Sequence, residues 1–168
     1  HYSGLRVQVR NNAMSRTLVI ANFKGGVGKT TTTVNLGAAL AEAGHRTLLV
    51  DLDPQAGLTA ALGLDPRQPR AGVGALLGLT SVALVSVSVA VGERLALLPA
   101  GLDLAALEAR LGTKGSAALR LRRALAKDGA AFDFVLIDTP PGLNVLTVNG
   151  LVAADALVIP VQAQYLAM

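Results

Sequence analysis

The chain has 168 residues, of which 52% are hydrophobic and only 3% are aromatic, so we expect one domain with a core of leucine, valine and alanine. It contains no cysteine, which excludes disulfides and thiolate-bound metals, and its longest apolar run, residues 82–91, is shorter than the roughly 18 residues of a membrane-spanning helix. The formal net charge is +4. Two of these charges are Arg6 and Arg10, in residues 1–13, which lack periodicity and precede Met14, so we interpret this stretch as a tag or upstream segment outside the fold. Without these two arginines the charge falls from +4 to +2, which is weak support for nucleic-acid binding.

The first predicted strand, residues 17–22, leads into a glycine-rich turn that opens a helix predicted from Lys29 to Ala43. Backbone N–H groups in such a turn, together with the positive end of the helix dipole, bind phosphate oxygens. The residues expected to hold a nucleoside triphosphate are Lys24, Gly25, Gly26, Val27, Gly28, Lys29, Thr30 and Thr31. Among them, Lys29 is expected to reach the β- and γ-phosphates and Thr30 to ligate Mg²⁺.

This turn departs from the general phosphate-loop pattern G-x-x-x-x-G-K-[ST] at its first position, where the chain has Phe23. Lys24 immediately precedes the glycine pair instead. The segment therefore resembles the deviant Walker A motif, K-G-G-x-G-K-[ST]-T, of the ParA/MinD superfamily of P-loop ATPases. Relatives commonly carry glutamine at the position of Phe23.

The second predicted strand, residues 46–51, is continuously apolar, as expected for a parallel sheet that is buried on both faces. Alternation along the strand places Asp51 and Asp53 on the same side, at the edge where open α/β sheets bind ligands. An alternative is that a carboxylate caps the next helix, with Pro54 in its first turn. The string D-x-D-P-Q resembles the signature of ParA-type partition ATPases. This resemblance implies that Asp53 positions the attacking water and that Asp51 lies near the metal.

The middle of the chain gives weaker signals. Residues 56–78 are rich in glycine and proline and predict short helices and exposed turns, with one small helix at Leu76-Leu77. Residues 82–91 alternate with serine, and we leave them open between strand and irregular structure. Residues 94–99 predict a strand, and the ending Leu97-Leu98-Pro99-Ala100 resembles that of the third strand in the family.

Two helices are predicted next, over residues 102–111 and 116–127. In the second helix the spacing places Arg120, Arg123 and Lys127 on one basic face. We favour a solvated face with cations near the helix C-terminus, and DNA phosphates as its ligand are the alternative.

A further apolar strand, residues 133–138, ends in Asp138 and matches a Walker B segment, in which a carboxylate helps to hold Mg²⁺ through its bound water. Residues 142–149 should then form switch II, the segment that senses the γ-phosphate. Residues 155–161 predict another buried strand, and its ending Pro160-Val161-Gln162 resembles that of partition ATPases.

These motifs occur in the order found in the ParA/Soj family of chromosome and plasmid partition ATPases, and residues 17–168 resemble that family. The resemblance implies an α/β fold: a doubly wound, mainly parallel sheet flanked by helices. Members continue for roughly another third of their length, so we interpret residues 14–168 as the N-terminal two-thirds of a P-loop ATPase domain that is incomplete at its C-terminus.

The resemblance also implies a Mg²⁺-dependent ATPase that acts as a nucleotide-dependent dimerisation switch in segregation. The implied site residues are Lys24, Lys29 and Asp53 for catalysis and Thr30, Asp51 and Asp138 for Mg²⁺. Lys24 would cross the interface of an ATP-dependent homodimer to the partner's phosphates. The other implied partners are a ParB-like centromere-binding protein and nonspecific DNA, the latter mostly through the C-terminal part. The expected location is cytoplasmic and nucleoid-associated, with no membrane contact. Alternatives are a MinD-like division-site ATPase and a P-loop synthetase or kinase acting on a small molecule.

Overall fold

The computed structural model describes residues 15–68, 70–78, 82–101, 103–111 and 117–163. The predicted tag or upstream segment, residues 1–13, and the C-terminal residues 164–168 lie outside the described residues. The interpretation of residues 1–13 therefore stays a prediction.

The described residues form a six-stranded sheet with the order β3-β4-β2-β5-β1-β6. All neighbours are parallel except β3, which runs antiparallel to β4. The strands are β1 Arg16–Ile20, β2 Thr47–Asp51, β3 Val89–Gly92, β4 Leu95–Leu98, β5 Phe134–Asp138 and β6 Ala156–Val158. The predicted, mainly parallel sheet is confirmed.

Helices connect the strands and cover both faces of the sheet. They are α1 Lys29–Glu42, α2 Gly57–Ala61, α3 Val73–Leu77, α4 Leu84–Val87, α5 Asp103–Leu111, α6 Arg120–Asp128 and α7 Val145–Ala153, with 3₁₀ turns at Ala117–Leu119 and Gly129–Ala131. None of these described helices combines the length and the apolar character that crossing a bilayer requires.

The core has two layers because successive strand residues point to opposite faces. Leu49 packs with Ile20 and Leu136 on the face covered by α1 and α2. Leu48 and Val50 belong to the larger layer on the other face, which includes buried side chains of α3 to α7. This alternation explains why both inner strands read as continuous apolar runs and confirms the doubly wound arrangement.

The strand order fixes the position of the candidate site. Although β5 follows β1 and β2 by many residues in sequence, it lies between them in the sheet. Asp138 at its end is in register with Ile20 of β1 and with Asp51 of β2. The loops that follow these three strands therefore leave the same edge of the sheet side by side.

The prediction of exposed turns over residues 56–78 was wrong in part. Leu58, Val73 and Leu77 have no exposed surface and contribute to the core. The glycines of this segment permit close packing as well as turns: a Cβ at Gly72 would lie 2.2 Å from the carbonyl oxygen of Pro99. The predicted short helices and the exposed turn at Gly63 are confirmed, whereas the buried glycines around α3 mark tight packing instead of solvent exposure.

The last strand was predicted to be buried, and this was also wrong. The structure pairs β6 only with β1 among the described strands, and its Ala156 and Leu157 are exposed. The stretch left open, residues 82–91, contains the one-turn helix α4 and the antiparallel strand β3. Antiparallel pairing with β4 explains why its side chains alternate between half-buried and exposed.

The predicted basic face of α6 was wrong at one position. Arg120 is half-buried and its guanidinium donates a hydrogen bond to the carbonyl oxygen of Leu77 in α3. Arg123 and Lys127 are exposed. An arginine at the start of α6 thus donates to a carbonyl at the end of the neighbouring helix α3.

Candidate nucleotide-binding site

The glycine-rich turn has the conformation that its sequence predicts. Gly26 and Gly28 have φ values of +73° and +93°, which side chains with a Cβ rarely adopt. Gly28 is the N-cap of α1, and its carbonyl accepts the N–H of Thr32 at 2.8 Å. The first N–H groups of a 14-residue helix therefore open onto the turn, which is the arrangement that binds phosphate.

Lys29 is held over this turn. Its side chain is only 7% exposed, and its Nζ donates to the carbonyl oxygen of Lys24 at 3.3 Å. A buried ammonium within the turn supplies positive charge where phosphate oxygens would lie. Lys24 itself has an exposed side chain at the start of the loop.

Two side chains outside the predicted site, Asn22 after β1 and Gln162 after β6, connect the turn to the segment that follows β6. The Asn22 amide accepts the N–H of Lys24 at 3.0 Å and donates to the carbonyl of Pro160 at 2.8 Å. Gln162 donates to the carbonyl of Gly26 at 2.9 Å. The partners of the two contacts to Pro160 and Gly26 are well over a hundred residues apart in sequence, and the pairing of β6 with β1 brings them together.

Thr30 and Asp138 form the contact that joins the turn to β5. The Thr30 hydroxyl donates to Asp138 Oδ2 at 2.6 Å. Asp138 Oδ1 is buried and has no hydrogen-bond partner among the described residues. Burial raises the pKa of Asp138 to about 7, opposed by the Thr30 hydrogen bond and reinforced by the charge of Asp51. A bound cation would offset the free-energy cost of burying the charged carboxylate.

Asp51 has no exposed surface and is held by protein donors. Its Oδ2 accepts both the N–H and the hydroxyl of Thr59, at 2.8 and 2.7 Å, and its Oδ1 accepts the N–H of Asp53 at 3.1 Å. Burial raises the pKa of Asp51 to about 6, although the hydrogen bonds from Thr59 lower it. Thr59 is the third residue of α2, so Asp51 accepts an N–H group from the first turn of that helix, although the N-cap residue is Ala56 and not an aspartate.

Asp53 lies in a tight turn rather than at a helix cap. Its Oδ1 accepts the N–H of Gln55 at 2.9 Å, and its carbonyl accepts the N–H of Ala56 at 2.8 Å. Because α2 begins only at Gly57, Pro54 does not lie in its first turn. Ala56 has φ +53°, a left-handed conformation that is costly for a residue with a side chain.

These residues are chemically suited to Mg²⁺ in the company of phosphate. A hydroxyl and a buried carboxylate are hard oxygen ligands, and the unpartnered Asp138 Oδ1 can accept a proton of metal-bound water. No group of three or more His, Cys, Asp or Glu side chains within the described part of the chain forms a metal cluster by itself. Mg²⁺ commonly takes its remaining ligands from phosphate and water.

The segment predicted to be switch II begins against the phosphate turn. Gly142 has φ +85° and donates its N–H to the carbonyl of Phe23 at 3.2 Å. Asn144 then caps α7 by accepting the N–H of Thr147 at 2.9 Å. Phe23 is 75% exposed. The role of residues 142–149 as a switch stays a prediction.

A family model described as an AAA domain matches residues 15–168. Soj of Bacillus subtilis, a sporulation initiation inhibitor protein, is 43% identical over 155 residues, which are 92% of this chain and 61% of Soj. The chromosome partitioning protein ParA of Caulobacter vibrioides is 44% identical over 156 residues, which are 91% of this chain and 58% of ParA. The chain thus spans about three-fifths of the length of these relatives.

Solved structures are similar over the same region. Cobyrinic acid a,c-diamide synthase from Mycobacterium smegmatis, with a bound ATP analogue and magnesium, has a TM-score of 0.86 and 48% identity, over 92% of this chain and 63% of the synthase. A plasmid partition protein from Borrelia burgdorferi has a TM-score of 0.80 and 27% identity, over 92% of this chain and 68% of that protein.

Proposed function

Because this chain belongs to the ParA/Soj family of partition ATPases, we propose that the protein binds and hydrolyses Mg²⁺–ATP to drive the segregation of chromosomes or plasmids. The observation that carries this proposal is the contact of the Thr30 hydroxyl with Asp138 at the mouth of the phosphate turn. It joins a phosphate cradle to a buried carboxylate that lacks a second partner among the described residues. ATP with Mg²⁺ supplies both the phosphate and the cation that this pair lacks.

The proposed roles follow from these positions. The amides of the turn and Lys29 bind the β- and γ-phosphates, while Thr30 and Asp138 hold Mg²⁺ directly or through its water. Asp53 would orient the attacking water, and Asp51 would lie near the metal. Mg²⁺ supplies charge neutralisation between the phosphates when it is bound.

We further propose that ATP binding favours a homodimer and that hydrolysis returns it to monomers. Lys24 reaches the partner's phosphates in this dimer. A ParB-like centromere-binding protein stimulates hydrolysis, and nonspecific DNA binds the dimer mostly through the C-terminal part. The proposed location is the cytoplasm, on the nucleoid. The similarity to Soj and ParA supports these finer roles, which remain proposals for the whole protein.

The test is Lys29→Ala in the full-length protein. Removing the buried ammonium is expected to weaken Mg²⁺–ATP binding by at least tenfold, because a charge-assisted contact to phosphate is lost. Equilibrium binding of a fluorescent ATP analogue measures this effect. Lys127→Ala, which removes an exposed lysine of α6, is the matched control and is expected to bind as the unmodified protein does. Retained affinity in Lys29→Ala would contradict the assignment of the turn.

A second candidate function is ATP-dependent activation of a small molecule. It is favoured by the 48% identity to cobyrinic acid a,c-diamide synthase. ATP turnover distinguishes the two functions: a partition ATPase is stimulated by DNA and a ParB-like protein, whereas a synthase requires its acid substrate and an ammonia donor. Turnover that responds only to cobyrinic acid with an ammonia donor would replace the partition proposal.

A further inference from the structure

Thr59 joins three separate parts of the chain through buried hydrogen bonds. It has no exposed surface, and both its N–H and its hydroxyl donate to Asp51 Oδ2, at 2.8 and 2.7 Å. The same hydroxyl accepts the N–H of Ala100 at 3.0 Å. Thr59 therefore links α2 to the ends of β2 and β4.

The hydroxyl of Thr59 is chemically necessary for this linkage. It must donate to a carboxylate and accept from an amide at the same time, which only a hydroxyl of this size does. Valine has the same shape but would leave the N–H of Ala100 without its partner and remove one donor from Asp51. Both groups are buried, so water cannot readily replace the lost contacts.

The linkage continues from Asp51 to the turn that carries Asp53. Asp51 Oδ1 accepts the N–H of Asp53, while Oδ2 is held by Thr59. The turn between them contains Ala56 in a left-handed conformation, which persists only where the surroundings hold it. Asp51 thus holds both ends of this turn: its Oδ1 accepts the N–H of Asp53 at the beginning, and its Oδ2 accepts the hydrogen bonds of Thr59 shortly after the end.

We propose that Thr59 is a positioning residue for ATP hydrolysis: by fixing Asp51 it sets the backbone of Asp53 and so the direction of the Asp53 carboxylate. This inference rests on the proposed ATPase function and on the role proposed there for Asp53. Thr59 is fully buried and lies outside the phosphate turn, so its effect falls on turnover rather than on nucleotide affinity.

The experiment compares three variants in the full-length protein. Thr59→Val is expected to lower kcat by about tenfold or more, with the KM and the equilibrium affinity for Mg²⁺–ATP changed by less than about threefold. Thr59→Ser keeps the hydroxyl and is expected to retain kcat within about threefold. Thr47→Val is the matched control, because Thr47 is equally buried on β2 but its hydroxyl donates only to the carbonyl of His45, at the opposite end of the strand.

The results are decisive in either direction. Unchanged kcat in Thr59→Val, an equal loss in Thr59→Ser, or an equal loss in the Thr47→Val control would overturn the positioning role. If Thr59→Val does not fold, Thr59→Cys replaces it, because a thiol keeps the volume but is a weak donor and acceptor. The expected result is then a kcat below that of Thr59→Ser, and a kcat equal to it overturns the proposal.

Failure of the proposed function is recognised separately. If the unmodified protein does not hydrolyse ATP, the ATPase proposal fails, and hydrogen exchange of the nucleotide-free protein decides separately whether Thr59 fixes the turn that carries Asp53. Amides of residues 53–59 are then expected to exchange at least about tenfold faster in Thr59→Val than in Thr59→Ser. Equal exchange in the two variants would overturn the proposal.

Discussion

A carboxylate that is buried beside another carboxylate is costly until a cation arrives. Asp138 lies next to Asp51 in the sheet, and burial raises its pKa to about 7. Its unfolded-state value is near 3.8, so between about pH 4 and pH 7 the native state binds more protons than the unfolded state. Native stability therefore falls as the pH rises through this window. The free-energy cost of burying the charged Asp138 carboxylate is greatest above pH 7, where a nucleotide-bound Mg²⁺ would offset it.

Asp138→Asn is accordingly expected to stabilise the nucleotide-free protein at pH 8 and to change little at pH 4. The gain at pH 8 is on the order of 1–3 kcal/mol, since the charged form no longer has to be desolvated. Mg²⁺–ATP binding is expected to weaken in the same variant. Urea unfolding at both pH values measures the stability.

Asp65→Asn is the control for this substitution. Asp65 is an exposed carboxylate, and hydrogen bonds from Arg67 lower its pKa, so its removal is expected to give no gain at pH 8. An equal gain for Asp138→Asn at pH 4 and pH 8 would contradict the burial argument.

At the scale of single residues, the phosphate turn and the aspartates at the ends of β2 and β5 could be predicted because each belongs to a local sequence pattern. Thr30 and Asp138 are identified by a turn and by the end of an apolar strand, and the fold brings them to 2.6 Å. Asn22 and Gln162 could not be predicted as braces of the turn, since their contacts depend on the position of β6. Thr59 lies eight residues after Asp51, and no periodicity marks its hydroxyl as a partner.

At the scale of elements, the inner strands were predicted correctly because burial on both faces leaves a continuous apolar run. Over residues 56–78 composition predicted the short helices α2 and α3 correctly, but it gave exposed turns where α3 is buried. In the structure, α3 packs against α6 and places Leu77 under it. Edge strands such as β6 carry a similar apolar run but bury less of it.

Leu77→Ala tests the burial of α3. The side chain has no exposed surface, so the truncation leaves a cavity and is expected to lower the free energy of unfolding by about 2–5 kcal/mol. Val85→Ala, in the neighbouring helix α4, is the control, because Val85 is 60% exposed and its truncation should change stability by less than about 0.5 kcal/mol. Urea unfolding of the full-length variants measures both. Equal effects would show that α3 does not belong to the core.

At the scale of the whole molecule, the strand order turns three distant segments into one edge. The phosphate turn, the Asp53 turn and residues 142–149 follow β1, β2 and β5, which are adjacent in the sheet. Two large apolar side chains, Phe23 and Leu143, are exposed on these loops at 75% and 64%. Lys24, which directly follows Phe23 in the sequence, is also exposed at the beginning of the phosphate turn. This edge therefore exposes two apolar side chains and Lys24 beside the candidate nucleotide site.

Lys24→Ala separates nucleotide binding from self-association. The backbone of Lys24 is held by Asn22 and by the Lys29 ammonium, so removing the exposed side chain should leave the turn intact. Monomer affinity for Mg²⁺–ATP is expected to change by less than about threefold, while ATP-dependent dimerisation falls by at least about tenfold, because a charged contact across the interface is lost. Sedimentation with and without Mg²⁺–ATP measures the dimer, and Lys127→Ala is the control. Unchanged dimerisation, or a parallel loss of ATP binding, would remove Lys24 from the proposed interface.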